Sequence, residues 1–390
     1  MPIRFLTAGE SHGPAVTAIL EGIPAGLELN VSHVDEELGR RQKGFGSGGR
    51  MKIETDKVRV LSGIMDGKTT GMPISLFVEN LNHRQWKGKE TKAMTAPRPG
   101  HADLTGVVKY GYNDLRPSLE RASARETTMR VAVGAICKQF LAEFGIVVGG
   151  YVRSIGEVNA DFGMTTYKYR FDAAETNDLR CPDVDAAEKM RARINACIRE
   201  KDTLGGVIEI VALNAPVGLG SFAQWDTRLE AKLAQAILSV QAIKGVEIGD
   251  AFENARLPGT QAHDAVTLDP STLNLQRPTN RAGGIEGGIS NGEPIVIRAA
   301  MKPIASTLTP QKTVDLVTGE ETATTYERSD FCPVPRAVPV LEAVVAIMLA
   351  DALIAKLGGD SIAEMKPRFE ALKEAKLSDI ELDNRPHVFW

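Results

Sequence analysis

The sequence predicts an α/β fold in which antiparallel strands surround a few long, buried helices. Three observations carry this. Strand-like segments follow one another in runs, without the regular strand–helix–strand alternation that a parallel sheet requires. Two helical segments, Ser123–Phe144 and Leu341–Leu357, are apolar on nearly every face, which is the pattern of helices packed on several sides. No stretch has linker composition, so residues 1–390 read as one integrated domain.

Taken in order, residues 1–30 read as a short strand, a polar loop Thr7–Pro14, a second strand Ala15–Leu20 and a turn over Glu21–Gly26. Val31–Arg41 reads as a helix with Ser32 as its N-cap and Asp35 and Glu36 in its first turn. Arg40–Arg50 is a basic glycine loop. Lys52–Ile64 and Pro73–Val78 alternate as strands do, and Gly63–Thr69, one residue short of a P-loop, reads as a hairpin turn. Asn80–Pro97 is polar and reads as a mobile surface loop. Val147–Ile155 and Gly205–Leu213 are strands, and Asp183–Glu200 is an amphipathic helix with Pro182 just before it. Arg228–Ile243 carries Leu229, Leu233, Ile237 and Val240 at helical spacing. Gly283–Ile289 is a second glycine-rich loop, Glu293–Met301 a strand, and Gly358-Gly359 stops the last apolar helix.

Composition excludes several classes. The chain is 43% hydrophobic and 25% charged with a formal net charge of -4, so global charge points to neither nucleic acid nor membrane. Four cysteines without a C-x-x-C pair suggest neither a zinc site nor a disulfide framework, and fit a reducing cytoplasm. The N-terminus reads as no signal peptide, and no run approaches 18 apolar residues. Locally the balance differs: Arg40–Arg130 holds 18 Lys/Arg against 9 Asp/Glu. A compact polyanionic ligand accounts for that segment; a basic surface patch is the plainer alternative.

Ser123-Ala-Arg-Glu126 has the form of a capping box. A helix start favours anions, and Arg121 and Arg125 sit there at the wrong end for cations. Either an anion is bound, or this is an ordinary capped helix with two surface arginines. Gly44, Gly46 and Gly49 satisfy G-x-G-x-x-G, but no buried strand precedes them, which argues against a dinucleotide site. Glycines between arginines fit better a loop that closes over a ligand. His12 and His101 lie in glycine-flanked loops, where an imidazole can donate a proton near neutral pH or merely bond to backbone. No H-x-x-H or H-E-x-x-H is present, so no metal is expected.

Together the motifs resemble those of the chorismate synthases: Gly9-Glu-Ser-His-Gly13, Glu21-Gly-Ile-Pro24, Arg98-Pro-Gly-His-Ala-Asp103, Arg121-Ala-Ser-Ala-Arg-Glu126, Lys244-Gly-Val-Glu-Ile-Gly249, Gly283-Gly-Ile-Glu-Gly-Gly288 and Arg328-Ser-Asp330 occur in the family's order, from residue 1 to about Ser361. The resemblance implies a β-α-β sandwich, with long central helices between two antiparallel sheets. It implies a lyase that converts 5-enolpyruvylshikimate-3-phosphate (EPSP) to chorismate, the last common step toward the aromatic amino acids, by 1,4-elimination of phosphate with loss of a hydrogen from ring carbon 6. Reduced FMN is required with no net redox change, and NADPH serves at most to reduce the flavin. A homotetramer is also implied, and since no extra reductase domain is visible, reduced flavin is expected from an external flavin reductase.

Carried over by position, His12, His101 and Asp330 are the expected proton-transfer residues. Ser11, Arg41, Arg50, Arg98, Ala124, Arg125 and Arg328 are expected at the substrate. Flavin contacts are expected from Arg41, Ser123, Ala124, Arg125, Gln241, Ala242, Gly287, Lys302, Pro303, Ile304, Ala305, Ser306 and Arg328. A phosphate and two carboxylates on the substrate suit several fork-shaped guanidinium donors. The sequence departs from the family pattern at Ser47, where arginine is usual, at Gln241, where Asn or Pro is common, and at Ala305-Ser306, in place of Pro-Thr. A flavin- or NADPH-dependent reductase using the same basic pocket and a non-catalytic phosphate-ligand binder are the other readings.

Overall fold

The computed structural model describes residues 2–48, 55–327 and 329–389. The first sheet begins with a hairpin, β1 (Arg4–Gly9) against β2 (Ala15–Glu21), in the register Arg4 opposite Glu21. After α1 (Val31–Gln42), β3 (Arg59–Ser62) and β4 (Ile74–Glu79) complete it in the antiparallel order β1-β2-β4-β3. Alternation decides which face is covered: Val16, Ala18 and Leu20 on β2 and Ile74, Leu76 and Val78 on β4 are buried.

The chain then makes α2 (Asp103–Tyr110) and α3 (Arg116–Ala122), and a 3₁₀ turn at Ala124–Glu126 leads into α4 (Thr127–Ala142). β5 (Val147–Ile155), α5 (Tyr167–Ala174), α6 (Val184–Glu200), β6 (Gly206–Leu213), α7 (Leu229–Leu238), β7 (Ile243–Ile248) and β8 (Ile295–Met301) follow. The second antiparallel sheet runs β7-β8-β6-β5, with Val158–Asn159 beside β5. The long helix α8 (Val334–Leu357) and the short α9 (Ile362–Glu370) follow, with a 3₁₀ turn at Leu377–Asp379 near the C-terminal end.

The helix α4 packs on β2 and β4 on one side and on α8 on the other, and α8 in turn packs on β5 and β6. The layers are therefore sheet, paired helices, sheet, as the family resemblance implied. The helix α8 is long and apolar enough to cross a membrane by composition, but 94% of its most apolar stretch is buried inside the protein, so it is a core helix.

The two central helices touch almost backbone to backbone. A Cβ added to Gly134 on α4 would stand 2.3 Å from Ala343 Cβ and 2.5 Å from its Cα on α8. We expect Gly134→Ala to lower stability, although alanine is the better helix former by about 1 kcal/mol, because forced overpacking costs roughly 1–3 kcal/mol. A urea midpoint that falls with an unchanged slope checks this.

Several boundaries differ from the sequence reading. The N-cap of α1 is Asn30, whose side chain accepts from Ser32 N, and no acidic residue lies in its first turn. Among the described residues, strand structure after the glycine loop starts at Arg59, and residues 52–54 lie outside the described ones. The helix expected to run to Ile243 stops at Leu238, and the chain returns as β7. α8 starts earlier than expected, at Val334, through Pro335 and Pro339. Proline suits the first turn, but Pro339 brings no N–H to the carbonyl of Pro335. Arg180 supplies the missing donor: its guanidinium donates to Pro335 O at 2.7 Å, to Arg40 O at 2.7 Å and to Lys43 O at 2.9 Å. One side chain thus ties the end of α1, the glycine loop and the start of α8 together.

A buried charge network lies between α1, α4 and α8. Glu342, 1% exposed, accepts from Arg40 at 2.8 Å and from Lys138 at 2.5 Å. Burial alone would raise its pKa, but Arg40 and Lys138 outweigh that and hold it well below its ordinary value of 4.5. A carboxylate depressed in this way contributes stability that is complete above its unfolded pKa and is lost as pH falls through the folded one. We therefore expect acid titration from about pH 4.5 downward to destabilise the protein. Glu342→Gln, less stable at neutral pH, should show a shallower acid slope in chemical-denaturation midpoints.

Candidate active site

The expected site residues come from segments far apart in sequence, and the fold assembles most of them. The loop after β1 carries Ser11 and His12 onto the end of α3. Glu120 there accepts from the His12 backbone N–H at 2.7 Å and lies 2.7 Å from His12 Nδ1. The Ser123 hydroxyl donates to Ser11 Oγ at 3.1 Å. Arg41, at the end of α1, donates to Ala124 O at 2.8 Å and to Thr127 Oγ1 at 2.9 Å, and so holds the start of the central helix.

From there the network passes to the segment before α8. Arg336 donates to Arg41 O at 3.1 Å and forms an ion pair with Asp330. The other oxygen of Asp330 accepts from Gly48 N at 2.7 Å. The glycine loop lies flat on this segment: a Cβ at Gly48 would stand 2.5 Å from Ser329 O, and one at Gly44 2.7 Å from Arg336 Cγ. Here glycine serves close backbone approach, as G-x-G spacing alone could not show. Ser47 stands next to that contact.

Ser329 donates to Ser306 O at 2.9 Å, and Ser306 Oγ accepts from Arg98 at 3.1 Å. Asp103, the first residue of α2 and fully buried, takes the Arg98 fork at 2.8 and 3.0 Å. It also lies 2.6 Å from His101 Nδ1. Burial would raise the Asp103 pKa, but the hydrogen bonds from His101 and Arg98 push it well below the usual carboxylate range. The Arg98 guanidinium also lies 3.0 Å from the same Nδ1, so the ring is shared between the arginine and the carboxylate. Lys302, at the end of the second sheet, donates to Gly100 O at 2.7 Å beside this histidine. His12 and His101 are 21% and 22% exposed, so both rings are held yet reachable.

Other expectations need correcting. The capping box does not form: Ser123 accepts from Arg125 N, while Glu126 is drawn away to Thr7, Arg130 and Gln241. Arg121 turns to Thr7 O and Oγ1 at 2.9 Å and does not face the helix start. The anion beside Arg41 and Arg125 belongs to the chain itself. Asp56 lies 2.6 Å from Arg125 and 3.4 Å from Arg41, and all three side chains are 4% exposed or less. Burial, with Arg336 and Arg125 nearby, lowers the Arg41 pKa against the pull of Asp56. The anchoring carboxylates Asp56, Glu120 and Asp103, each holding different site residues, were missed by sequence reasoning; only Asp103 carried a signal, its place two residues after a loop histidine.

Arg50 and Arg328 lie outside the described residues. Gly287 is exposed in the hairpin of Ile285–Glu286 with Ile289–Ser290, and no contact among the described residues brings it to the cluster. Asn80–Pro97 is better anchored than expected. It holds a one-turn helix, His83–Trp86, and Asn80 is buried, accepting from Arg125 at 2.7 Å. Gly63–Thr69 is a hairpin as expected, with Asp66 and Gly67 at positive φ. All four cysteines are reduced and buried, and no acidic, histidine or cysteine cluster suited to a metal exists among the described residues.

The family model for chorismate synthase matches residues 3–354. The chain belongs to the chorismate synthase family. It is 51% identical over 381 residues to the chorismate synthase of Syntrophotalea carbinolica, covering 95% of this chain and 98% of that protein. It is 48% identical to that of Chlorobaculum tepidum over 390 residues, 96% and 98% of the two chains. A crystal structure of chorismate synthase, 44% identical, superposes with a TM-score of 0.78 over 95% of this chain and 97% of that one. A chorismate synthase is a lyase that requires a reduced flavin, so the site must fit a flavin ring. Gln241 offers one suitable group: its Oε1 is buried and finds no partner among the described residues, while its amide donates to Glu126. A flavin N–H is the kind of donor that this acceptor lacks. Next to it, Ala242 holds a positive φ of 66° and its carbonyl accepts from Lys302 N, which joins Gln241–Ala242 to the Lys302–Ser306 segment.

Proposed function

We propose that the chain, as one domain along its whole length, converts EPSP to chorismate and phosphate in the cytoplasm. The observation that carries this reading is the pair of hydrogen-bonded networks, joined at the Ser329–Asp330 peptide, that brings together both loop histidines, Asp330, Arg98 and the start of the central helix. In them, Arg98 and His101 form the pole that receives the departing phosphate. Breaking the C–O bond leaves negative charge on the phosphate oxygen, which the Arg98 guanidinium stabilises and the His101 ring neutralises by proton donation. Asp330, kept in place by Arg336 and Gly48 N, takes up the proton lost from ring carbon 6. Arg41, Arg125, Arg50 and Arg328 serve the substrate's anionic groups, with Ser11 and Ala124 lining the site.

Ser123, Ala124, Arg125, Gln241, Ala242 and the Lys302–Ser306 segment, with Arg41, Gly287 and Arg328, would hold FMN. When bound, reduced FMN supplies transient electron density for phosphate departure, and this chemistry is the cofactor's own. His12 would supply an imidazole to the edge where bound reduced flavin carries negative charge. The enzyme works as a homotetramer, and reduced flavin comes from a separate reductase, with NADPH serving at most that reduction.

Anaerobic assay with EPSP and chemically reduced FMN tests the reading. Equal release of phosphate and chorismate is expected. Binding without phosphate release overturns it, and NADPH consumption with free FMN and no shikimate-type substrate would make the chain a reductase instead.

A further inference from the structure

His12 is gripped on four sides by groups that none of the site motifs includes. Its backbone N–H donates to Glu120 Oε2 at 2.7 Å, and its Nδ1 lies 2.7 Å from Glu120 Oε1. Its carbonyl lies 2.8 Å from Nδ1 of His83. Its ring faces Trp86, with centroids 4.7 Å apart and planes tilted by 54°. Among the described residues no hydrogen-bond partner falls on Nε2, although the ring is 21% exposed.

Glu120 acts as an acceptor toward both of its contacts. Burial works to raise its pKa, but the side-chain and backbone hydrogen bonds from His12 prevail and lower it, so it is ionised at neutral pH. An ionised carboxylate has no hydrogen to give, so the contact at Nδ1 exists only if that nitrogen carries the hydrogen. The bond made by one ring nitrogen fixes the state of the other. His101 is different. Its acidic partner Asp103 is already engaged by the Arg98 fork, whereas Glu120 has no ion pair with an arginine or lysine among the described residues.

We propose that Glu120 is the positioning residue of His12: it holds the ring in the Nδ1–H form and aims Nε2 into the site, under a roof formed by Trp86 and His83. The roof gives the His83–Trp86 turn a role in the site, within a segment whose sequence shows only polarity. The proposal rests on the chorismate synthase reading only in assigning the reaction that His12 serves. The ring state itself is a property of this chain.

The test uses the full-length enzyme with ¹⁵N-labelled histidine. The His12 signal is assigned by its loss in His12→Gln. Above the pH at which the ring becomes neutral, nitrogen shifts should report hydrogen on Nδ1 in the wild type. In Glu120→Ala they should report the Nε2–H form that free imidazole side chains prefer. The isosteric Glu120→Gln keeps one acceptor oxygen and should fall between the two; it decides the question if Glu120→Ala does not fold. In turnover, we expect Glu120→Ala to lower kcat by roughly 10- to 100-fold, with KM for EPSP changed by less than about 3-fold. An unchanged ring state in both variants overturns the proposal, as does a changed ring state with unchanged kcat. Wild-type enzyme that shows the Nδ1–H form but releases no phosphate from EPSP would overturn the reaction reading and leave the assignment of Glu120 intact.

Discussion

Replacing His101 with alanine should lower kcat by about 10²- to 10⁴-fold, the usual contribution of a positioned general acid, and should leave KM for EPSP nearly unchanged. The geometry around the ring is the reason. Arg98 is held by Asp103 through three bonds, from its backbone N–H at 3.0 Å and from the guanidinium fork at 2.8 and 3.0 Å. Arg98 also lies 3.0 Å from the ring, but none of these three bonds passes through the imidazole, so Arg98 keeps its place and charge when the ring is gone. What is lost is the proton for the leaving phosphate, a need that arises only as the C–O bond breaks. An interaction made only in the transition state lowers kcat and kcat/KM together. Anaerobic steady-state kinetics with reduced FMN separates the terms. A KM that rises as much as kcat falls would make His101 a substrate-binding group and remove it as the acid. Asp103→Asn is the contrasting variant. It weakens the hold on both the arginine and the histidine, and should therefore disturb KM and kcat alike.

Much of this architecture is legible in the sequence because it is written in local patterns. Most strands show as short apolar or alternating runs, and Gly358 marks the end of the long central helix as a glycine beyond a helix should. The loops of His12 and His101 are visible as glycine-containing polar stretches, and only the motifs taken together mark their histidines as functional. What was not legible depends on partners distant in sequence. Glu120 lies 108 positions from His12 and reads as one more polar residue on a short helix. The Ser123–Glu126 box fails although both residues are present, because Thr7 and Arg130 compete for the glutamate. The start of α8 was hidden by its prolines, since Pro339 breaks a helical pattern unless another group satisfies the freed carbonyl. Arg180, more than 150 positions earlier, does so, and no rule of local spacing connects the two.

Asp56→Asn should be the most destabilising single change in the site. Two guanidinium groups, Arg41 and Arg125, lie with Asp56 at 4% exposure or less. Removing the carboxylate from a buried ion pair costs about 3–5 kcal/mol. Asparagine has nearly the same shape as aspartate, so no cavity contributes and the loss measures charge alone. Urea denaturation at neutral pH gives the number, and a change under about 1 kcal/mol, the range of exposed pairs, would show that the arginines do not need this carboxylate. The same variant also tests the sequence reading of Arg41 and Arg125 as substrate contacts. If an anionic group of EPSP reaches them, it restores in Asp56→Asn the charge that the substitution removed. Saturating EPSP with FMN should then raise the midpoint of the variant more than that of the wild type, because stabilisation by a ligand follows its affinity for the folded state. Equal increments in both proteins would make Arg41 and Arg125 internal supports for the helix start, and would leave Arg98 as the described arginine that meets the phosphate. The sign of that difference therefore separates a buried scaffold from a binding site in which Asp56 holds the place of the substrate's charge.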